Sequence, residues 1–162
     1  MTGVHDVRPV VRLRSVEDRD LDVFFDHQAD PQAVEMAGFP ARDRERFEAH
    51  WAKVRADDRL VARTVLADGS VAGNIGSWPE NGQQLLGYWI GREWWGRGVA
   101  TQAVALLMDE VSIRPLYAHV AVHNAGSIRV LEKCGFRRDR AQEAKAPSPD
   151  DDIEELVFVL DA

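Results

Sequence analysis

The sequence predicts a single mixed α/β domain built around one sheet. Its 162 residues suit one typical domain, and 45% hydrophobic with 29% charged residues is an ordinary globular composition. The predicted elements follow the order β-α-α-β-β-β-α-β-α-β-β, which lacks the regular alternation of a doubly wound sheet. One cysteine excludes an internal disulfide framework.

The N-terminal third is predicted to form one strand and two helices. Residues 10–13 (VVRL) are typical of a short strand, and residues 15–18 (SVED) match a capping box that opens the first helix. Pro31 and the Gly-Phe-Pro run at 38–40 interrupt the helical pattern. Residues 43–56 form the second predicted helix, because apolar side chains recur along it at i, i+4 and i+7.

Three strands joined by tight turns are predicted next. Apolar residues dominate 60–66, 71–78 and 85–90. Turn-forming residues fill the gaps at 67–70 (ADGS) and 79–82 (PENG), as in β-hairpins.

The remainder of the chain is predicted to return to helices and strands in turn. We expect a helix over 99–111, a strand over 117–122 and a short helix over 125–134. Phe136 opens a further strand, and residues 155–160 form the last one.

The loop that enters the 99–111 helix carries the clearest chemical signal. Residues 94–101 (WWGRGVAT) place two glycines one residue apart at a helix N-terminus, which favours a phosphate or pyrophosphate. Arg92 and Arg97 add positive charge. Thr101 stands where a Rossmann fingerprint has its third glycine, and the Gly-Lys-Ser/Thr of a P-loop is absent. A tight turn without a ligand is the alternative.

Two segments together resemble a known family. Residues 88–103 (YWIGREWWGRGVATQA) resemble the acetyl-CoA loop of GNAT-type N-acetyltransferases, and residues 124–136 (NAGSIRVLEKCGF) resemble that family's second signature. The likeness is greatest to the ribosomal-protein alanine N-acetyltransferase branch, the RimJ/RimL type. The resemblance implies one acetyltransferase domain over 1–162, with 1–9 a candidate disordered segment. It also implies a mixed sheet of about six to seven strands with helices on both faces, splayed between strands 4 and 5.

The resemblance implies acetyl-CoA as co-substrate and no metal. The cofactor-binding positions that it transfers to this chain are Ile90, Arg92, Arg97, Gly98, Val99, Ala100, Thr101, Asn124 and Ser127. Backbone amides of 97–101 would hold the pyrophosphate, and the backbone of Ile90 would pair with the pantetheine arm. Asn124 would bond the pantetheine, and Ser127 would lie beside the sulfur.

The family reaction is direct attack of an amine on the thioester in a ternary complex. The family's glutamate position falls at 83–84, where both residues are glutamine, and Leu131 stands where some members have a tyrosine acid. Ser127 is therefore the candidate proton donor. Glu143 and Glu80 are the candidate bases, and a water relay is the alternative.

Two other function classes compete with this interpretation. A non-catalytic acyl-CoA-binding or sensor module would also fit the missing carboxylate and tyrosine. An NAD-binding oxidoreductase is the third hypothesis, and it is disfavoured because the glycine loop lacks the third glycine of the Rossmann fingerprint.

The net charge of −7 disfavours nucleic acid as a partner. Residues 139–162 hold eight acids and two bases, so most of the negative charge lies in the tail. In the family fold the loop before the last strand lies at the acceptor mouth, and here it contains Asp150, Asp151 and Asp152. This favours a cationic amine acceptor; a solvated surface segment is the alternative.

The sequence also predicts a compartment. There is no apolar run long enough to span a membrane, and residues 1–9 are polar, which predicts a cytoplasmic protein without a membrane partner. Monomer and homodimer both remain open.

Overall fold

The computed structural model describes residues 8–38, 40–145 and 155–162. The strands are β1 (Val11–Ser15), β2 (Val61–Ala67), β3 (Ser70–Glu80), β4 (Gln83–Ile90), β5 (Leu116–Ala121), β6 (Arg137–Arg138) and β7 (Glu155–Leu160). The helices are α1 (Asp20–Ala29), α2 (Pro31–Ala37), α3 (Arg44–Ala56), α4 (Val99–Glu110), α5 (Ala125–Lys133) and α6 (Arg140–Lys145). Among these helices, none is both long enough and apolar enough to traverse a bilayer.

The seven strands form one mixed sheet in the order β1-β2-β3-β4-β5-β7-β6, which confirms the predicted fold class. Neighbouring strands are antiparallel except β4 and β5, which run parallel. Those two strands pair only at Gln84 with Leu116 and at Leu85 with Tyr117. Beyond Leu85 they diverge, so the predicted splay is confirmed.

The sheet is covered on both faces, as the sequence predicted. Val61 packs against a large cluster that includes four buried residues of α4, whereas Ala62 packs against a cluster formed by Phe24, Phe47 and Trp51. Successive residues of a strand point to opposite faces, so the two clusters lie on opposite sides of the sheet. Each large apolar side chain buried in this way stabilises the fold by roughly 1.5–3 kcal/mol.

The predicted capping box at 15–18 is wrong. Helix α1 begins at Asp20, and its N-cap residue, Arg19, makes no side-chain cap hydrogen bond. The fully buried Asp20 carboxylate instead accepts hydrogen bonds from Arg14 at 2.7 and 2.9 Å and from the Thr64 hydroxyl at 2.6 Å. It also accepts one from the Glu17 backbone amide at 2.8 Å. Tertiary pairing therefore fixes the start of the helix in place of a local cap.

These contacts determine the charge state of Asp20. Burial alone raises the pKa of a carboxyl group, but the hydrogen bonds from Arg14, Thr64 and the Glu17 amide outweigh it and lower the pKa of Asp20 from 3.8 to about 2. Asp20 is thus a buried anion that ties β1, α1 and β2 together.

Two short helices were not predicted. Pro31 begins α2 where the sequence suggested a break, because the Asp30 side chain accepts from the Gln32 amide at 3.0 Å and proline suits the first helical position. Helix α6 follows Asp139, whose side chain accepts from the Gln142 amide at 3.1 Å. Leu106 lies within the apolar run of α4, yet the residue is 37% exposed.

Replacing Asp20 by Asn should lower the free energy of unfolding by roughly 1.5–3 kcal/mol at pH 7, because it weakens the charge-assisted hydrogen bonds from Arg14, whose own side chain stays partly solvated. The stabilisation from the lowered pKa is present above 3.8 and is lost as the pH falls toward about 2. Urea unfolding from pH 7 to pH 2 measures both effects. Asp26→Asn, at an exposed position of the same helix, is the control and should stay within about 0.5 kcal/mol. Equal stability of the two variants would contradict the role of Asp20.

Candidate active site

A cavity of about 320 Å³ lies beside the C-terminal half of β4, where that strand has left β5. Its walls come from β4, the loop into α4, the first turn of α4, α5, α2 and Arg8. The structure thus brings together the two segments whose sequences carried the family resemblance.

The loop into α4 makes a tight turn at its two glycines. Gly96 and Gly98 have φ values of +72° and +79°, in the left-handed region that favours glycine. Gly98 is the N-cap residue of α4 and supplies no side-chain cap. The amides of Val99, Ala100 and Thr101, all in the cavity wall, belong to the first turn, whose N–H groups have no intrahelical acceptor. Such a turn favours an anion.

Asn124 caps the second helix of the cavity. Its side-chain oxygen accepts a hydrogen bond from the Ser127 amide at 3.2 Å, so α5 begins directly after it. The amide nitrogen of the Asn124 side chain still has its two donors for a ligand. Asn124 therefore has a structural role besides any contact with a ligand.

Ser127 forms a hydroxyl pair that the sequence did not predict. Its Oγ atom lies 2.7 Å from the Tyr88 hydroxyl, and both residues line the cavity. Burial raises the pKa of Tyr88 to about 12, despite the opposing effect of the Ser127 hydrogen bond. The phenol is thus protonated at neutral pH. Tyr88 and Ile90 point to the same face of β4, an alternation that could have identified the tyrosine.

The backbone of Ile90 faces the gap between the diverging strands. The Gly91 amide donates to the Ala72 carbonyl at 2.8 Å, so the alternation of an antiparallel ladder turns the N–H and C=O of Ile90 away from β3. The Trp95 indole donates to the Ile90 carbonyl at 2.8 Å. Because it points away from β3, the N–H of Ile90 is directed into the gap between β4 and β5.

Arg92 and Arg97, predicted to bind the cofactor, are not among the residues of the cavity wall. Arg92 donates to Asp30 and to Gln32, both at 2.6 Å. The Arg97 guanidinium lies 4.6 Å from the centre of the Trp94 ring system, a cation–π contact.

The Arg92 contacts hold one end of α2 against the loop that enters α4. At the other end, a hydrogen bond of 2.8 Å joins His123 Nε2 to the Glu35 carbonyl. These bonds fix α2 in place as one wall of the cavity. Ala33 and Met36 are the residues of α2 that face it together with Ala37.

The two candidate bases also lie outside the cavity wall. Both carboxylate oxygens of Glu143 accept from Arg138, at 2.8 and 2.9 Å, and one of them also accepts from the Val157 amide at 3.1 Å. Hydrogen bonding to Arg138 lowers the pKa of Glu143, which makes it a poorer base. Glu80 is exposed at the end of β3, opposite Gln83.

The single cysteine, Cys134, lies next to the cavity without lining it, and its thiol donates to the Thr101 carbonyl at 3.6 Å. Cys134 is half-buried, and burial raises the pKa of its thiol. Within the three described ranges, no group of three or more His, Cys, Asp or Glu residues could hold a metal ion. Asp150, Asp151 and Asp152, like residues 1–7 of the candidate disordered segment, lie outside the described residues.

Comparison with known families identifies the class of protein that this fold and cavity define. Residues 11–137 match the family model described as an acetyltransferase (GNAT) domain. The chain belongs to the GNAT acetyltransferase family, so the resemblance seen in the sequence is confirmed.

Two curated N-acetyltransferases match part of the chain. The chain is 33% identical to the probable N-acetyltransferase YjcK of Bacillus subtilis over 88 residues, which are 52% of this chain and 45% of that protein. It is 34% identical to the uncharacterized N-acetyltransferase p20 of Bacillus licheniformis over 64 residues, 37% of this chain and 36% of that protein. Each match spans less than half of the curated relative.

Solved structures show the same fold. Mycobacterium smegmatis RimJ in complex with CoA-disulfide has a TM-score of 0.76 at 22% identity, covering 95% of this chain and 83% of that one. Spermidine N-acetyltransferase from Vibrio cholerae, in complex with CoA and spermine, has a TM-score of 0.73 at 18% identity, covering 92% of each chain. Both of these proteins share the fold of this chain, and both were solved with CoA or a CoA disulfide.

The capping role of Asn124 predicts a stability difference between two substitutions. Asn124→Ala removes the acceptor for the Ser127 amide and should lower the free energy of unfolding by about 1 kcal/mol. Asn124→Asp keeps an acceptor at the same place and should change stability by less than about half of that amount. Urea denaturation measures both. Equal losses in the two variants would show that the cap is not what stabilises α5.

Proposed function

We propose that the protein is an acetyl-CoA-dependent N-acetyltransferase that transfers acetyl to a primary amine by direct attack in a ternary complex. One observation carries the proposal: a single cavity joins the anion-binding first turn of α4 to the Tyr88–Ser127 hydroxyl pair along the free part of β4. A long substrate with phosphates at one end and a thioester at the other matches that arrangement.

The groups that line the cavity account for binding of the co-substrate. The amides of Val99, Ala100 and Thr101 take the diphosphate of the co-substrate, since that turn presents free donors at the positive end of α4. The pantetheine arm lies along the part of β4 that β5 leaves unpaired, with the Asn124 amide as a side-chain donor. Arg92 stays with α2 and supports the wall, in place of a direct contact with the co-substrate.

The chemistry needs a polarised carbonyl and a proton for the leaving thiolate. The N–H of Ile90 donates to the thioester oxygen, which gains negative charge when the amine nitrogen attacks the carbonyl carbon. As the tetrahedral intermediate collapses, the carbon–sulfur bond breaks and the thiolate takes a proton from Ser127. Tyr88 replaces that proton through the 2.7 Å hydrogen bond and regains its own from solvent, because the pKa of the buried phenol is about 12. The attacking amine gives its own proton to water, since Glu143 is paired with Arg138 and Glu80 lies on the surface.

For the acetyl acceptor, we propose a class of compound, primary amines, and no single substrate. A protein N-terminus and a small-molecule amine both provide the required neutral nitrogen. The acidic segment 139–162 favours a cationic acceptor by electrostatic attraction. We also propose that the protein acts in the cytoplasm, on the strength of its polar composition.

Release of free thiol on mixing the protein, acetyl-CoA and a panel of primary amines tests the activity. The panel should include polyamines, amino acids and short peptides with a free N-terminus. We expect thiol release above the rate without enzyme for at least one class. Tight CoA binding without thiol release for any amine would instead support the acyl-CoA-binding or sensor module, which the remote positions of both candidate bases favour.

Ser127→Ala should lower kcat about 100-fold for the best amine, because the leaving thiolate loses its proton donor. Tyr88→Phe should lower kcat less, and the double variant should resemble Ser127→Ala, since the two hydroxyls act in series. Initial-rate kinetics separate kcat from KM for acetyl-CoA, which should change little.

Cys134→Ala is the control for this series and should keep the wild-type kcat. A large loss in that variant would indicate a thiol nucleophile, and additive losses in the double variant would contradict the serial arrangement of Tyr88 and Ser127.

A further inference from the structure

The segment before β1 is attached to the wall of the cavity. The Pro9 carbonyl accepts a hydrogen bond from the Gln102 side chain of α4 at 2.9 Å. The Val10 amide donates to the Asp68 carboxylate at 2.9 Å, and the Asp68 amide donates to the Val10 carbonyl at 2.9 Å. Pro9 is thus bonded to α4 and Val10 to the turn between β2 and β3, and these two residues hold the preceding Arg8 beside the first turn of α4.

The Arg8 side chain reaches the glycine loop. A Cβ atom added to Gly98 would overlap the Arg8 Nη1 atom and would lie 3.1 Å from its Cζ. Arg8 also lines the same cavity as Val99, Ala100 and Thr101. Its guanidinium thus stands next to the amides that receive an anion in the proposed function.

The positive charge of Arg8 and the positive end of the α4 dipole together favour a negatively charged ligand at this position. The first turn of α4 carries the positive end of the helix dipole, and a guanidinium beside it is repelled unless an anion is shared by both. Within the part of the chain that the structure describes, no carboxylate lies in ion-pair distance of Arg8. A diphosphate would satisfy the guanidinium and the helix amides together, since a guanidinium binds phosphate oxygens through two parallel hydrogen bonds.

We infer that Arg8 is a side-chain ligand of the co-substrate's diphosphate, added to the backbone site at 98–101 from a point 90 residues earlier in the chain. The inference rests on the proposed function, because it requires that CoA occupies this cavity. It adds a charged, sequence-remote contact to the main-chain amides of the first turn of α4, and it makes Arg8 part of the cofactor site.

Calorimetric binding of CoA, dephospho-CoA and pantetheine to the wild type and to Arg8→Gln tests the inference. Pantetheine lacks the diphosphate, and dephospho-CoA lacks only the 3′-phosphate. We expect Arg8→Gln to raise the Kd for CoA and for dephospho-CoA about tenfold and to leave pantetheine unchanged. Arg8→Lys should fall between, because it keeps the charge but loses the bidentate geometry. The difference between wild type and Arg8→Gln should shrink at high salt.

Arg12→Gln is the matched control, since Arg12 is exposed on β1 outside the cavity wall and its loss changes the net charge equally. Its Kd for CoA should stay within twofold of the wild type. An effect of Arg8→Gln on CoA but not on dephospho-CoA would assign Arg8 to the 3′-phosphate and overturn the inference. An unchanged Kd, or an equal change for all three ligands, would also overturn it. Failure of the wild type to bind CoA would instead overturn the proposed function.

Discussion

The divergence of β4 from β5 is the constraint on which the candidate site depends. Two parallel strands that separate after two residue pairs leave the backbone groups of β4 without a neighbouring strand. Buried backbone groups need partners, so the gap is suited to an extended ligand that pairs with β4 as a strand would. The N–H of Ile90, turned away from β3, lies at the end of this free edge.

The elements around the gap are placed by contacts that have no direct part in chemistry. Arg92 and His123 hold the two ends of α2, which would otherwise have only one buried residue, Ala33, to fix it. On the far side of the sheet, the buried Asp20 anion joins β1 to β2 and to the start of α1. The shape of the cavity therefore depends on hydrogen bonds and ion pairs that do not line it.

The sequence predicted those features that depend on local chemistry. The glycines at 96 and 98 indicated a tight turn before α4, and the short helix expected over 125–134 begins at Ala125 as predicted, because both follow from the local backbone pattern. Strand β7 has the predicted bounds, since its apolar run is buried on both faces.

What the sequence did not predict depends on side-chain contacts that the local pattern does not show. Nothing in the local sequence distinguishes Asp20 from other acids, yet Thr64 and Arg14 make it a buried anion. Glu143 looked available as a base until α6 placed it against Arg138. The Tyr88–Ser127 pair joins residues 39 apart in sequence, and no local pattern identifies such a pair.

Amide chemical-shift mapping during a CoA titration tests the central claim most directly. If the gap beside β4 and the first turn of α4 hold the co-substrate, the backbone amides of Ile90, Val99, Ala100 and Thr101 should show the largest changes, and those of β1 and α3 the smallest. Changes centred on another surface, with these four amides unmoved at saturation, would contradict the account.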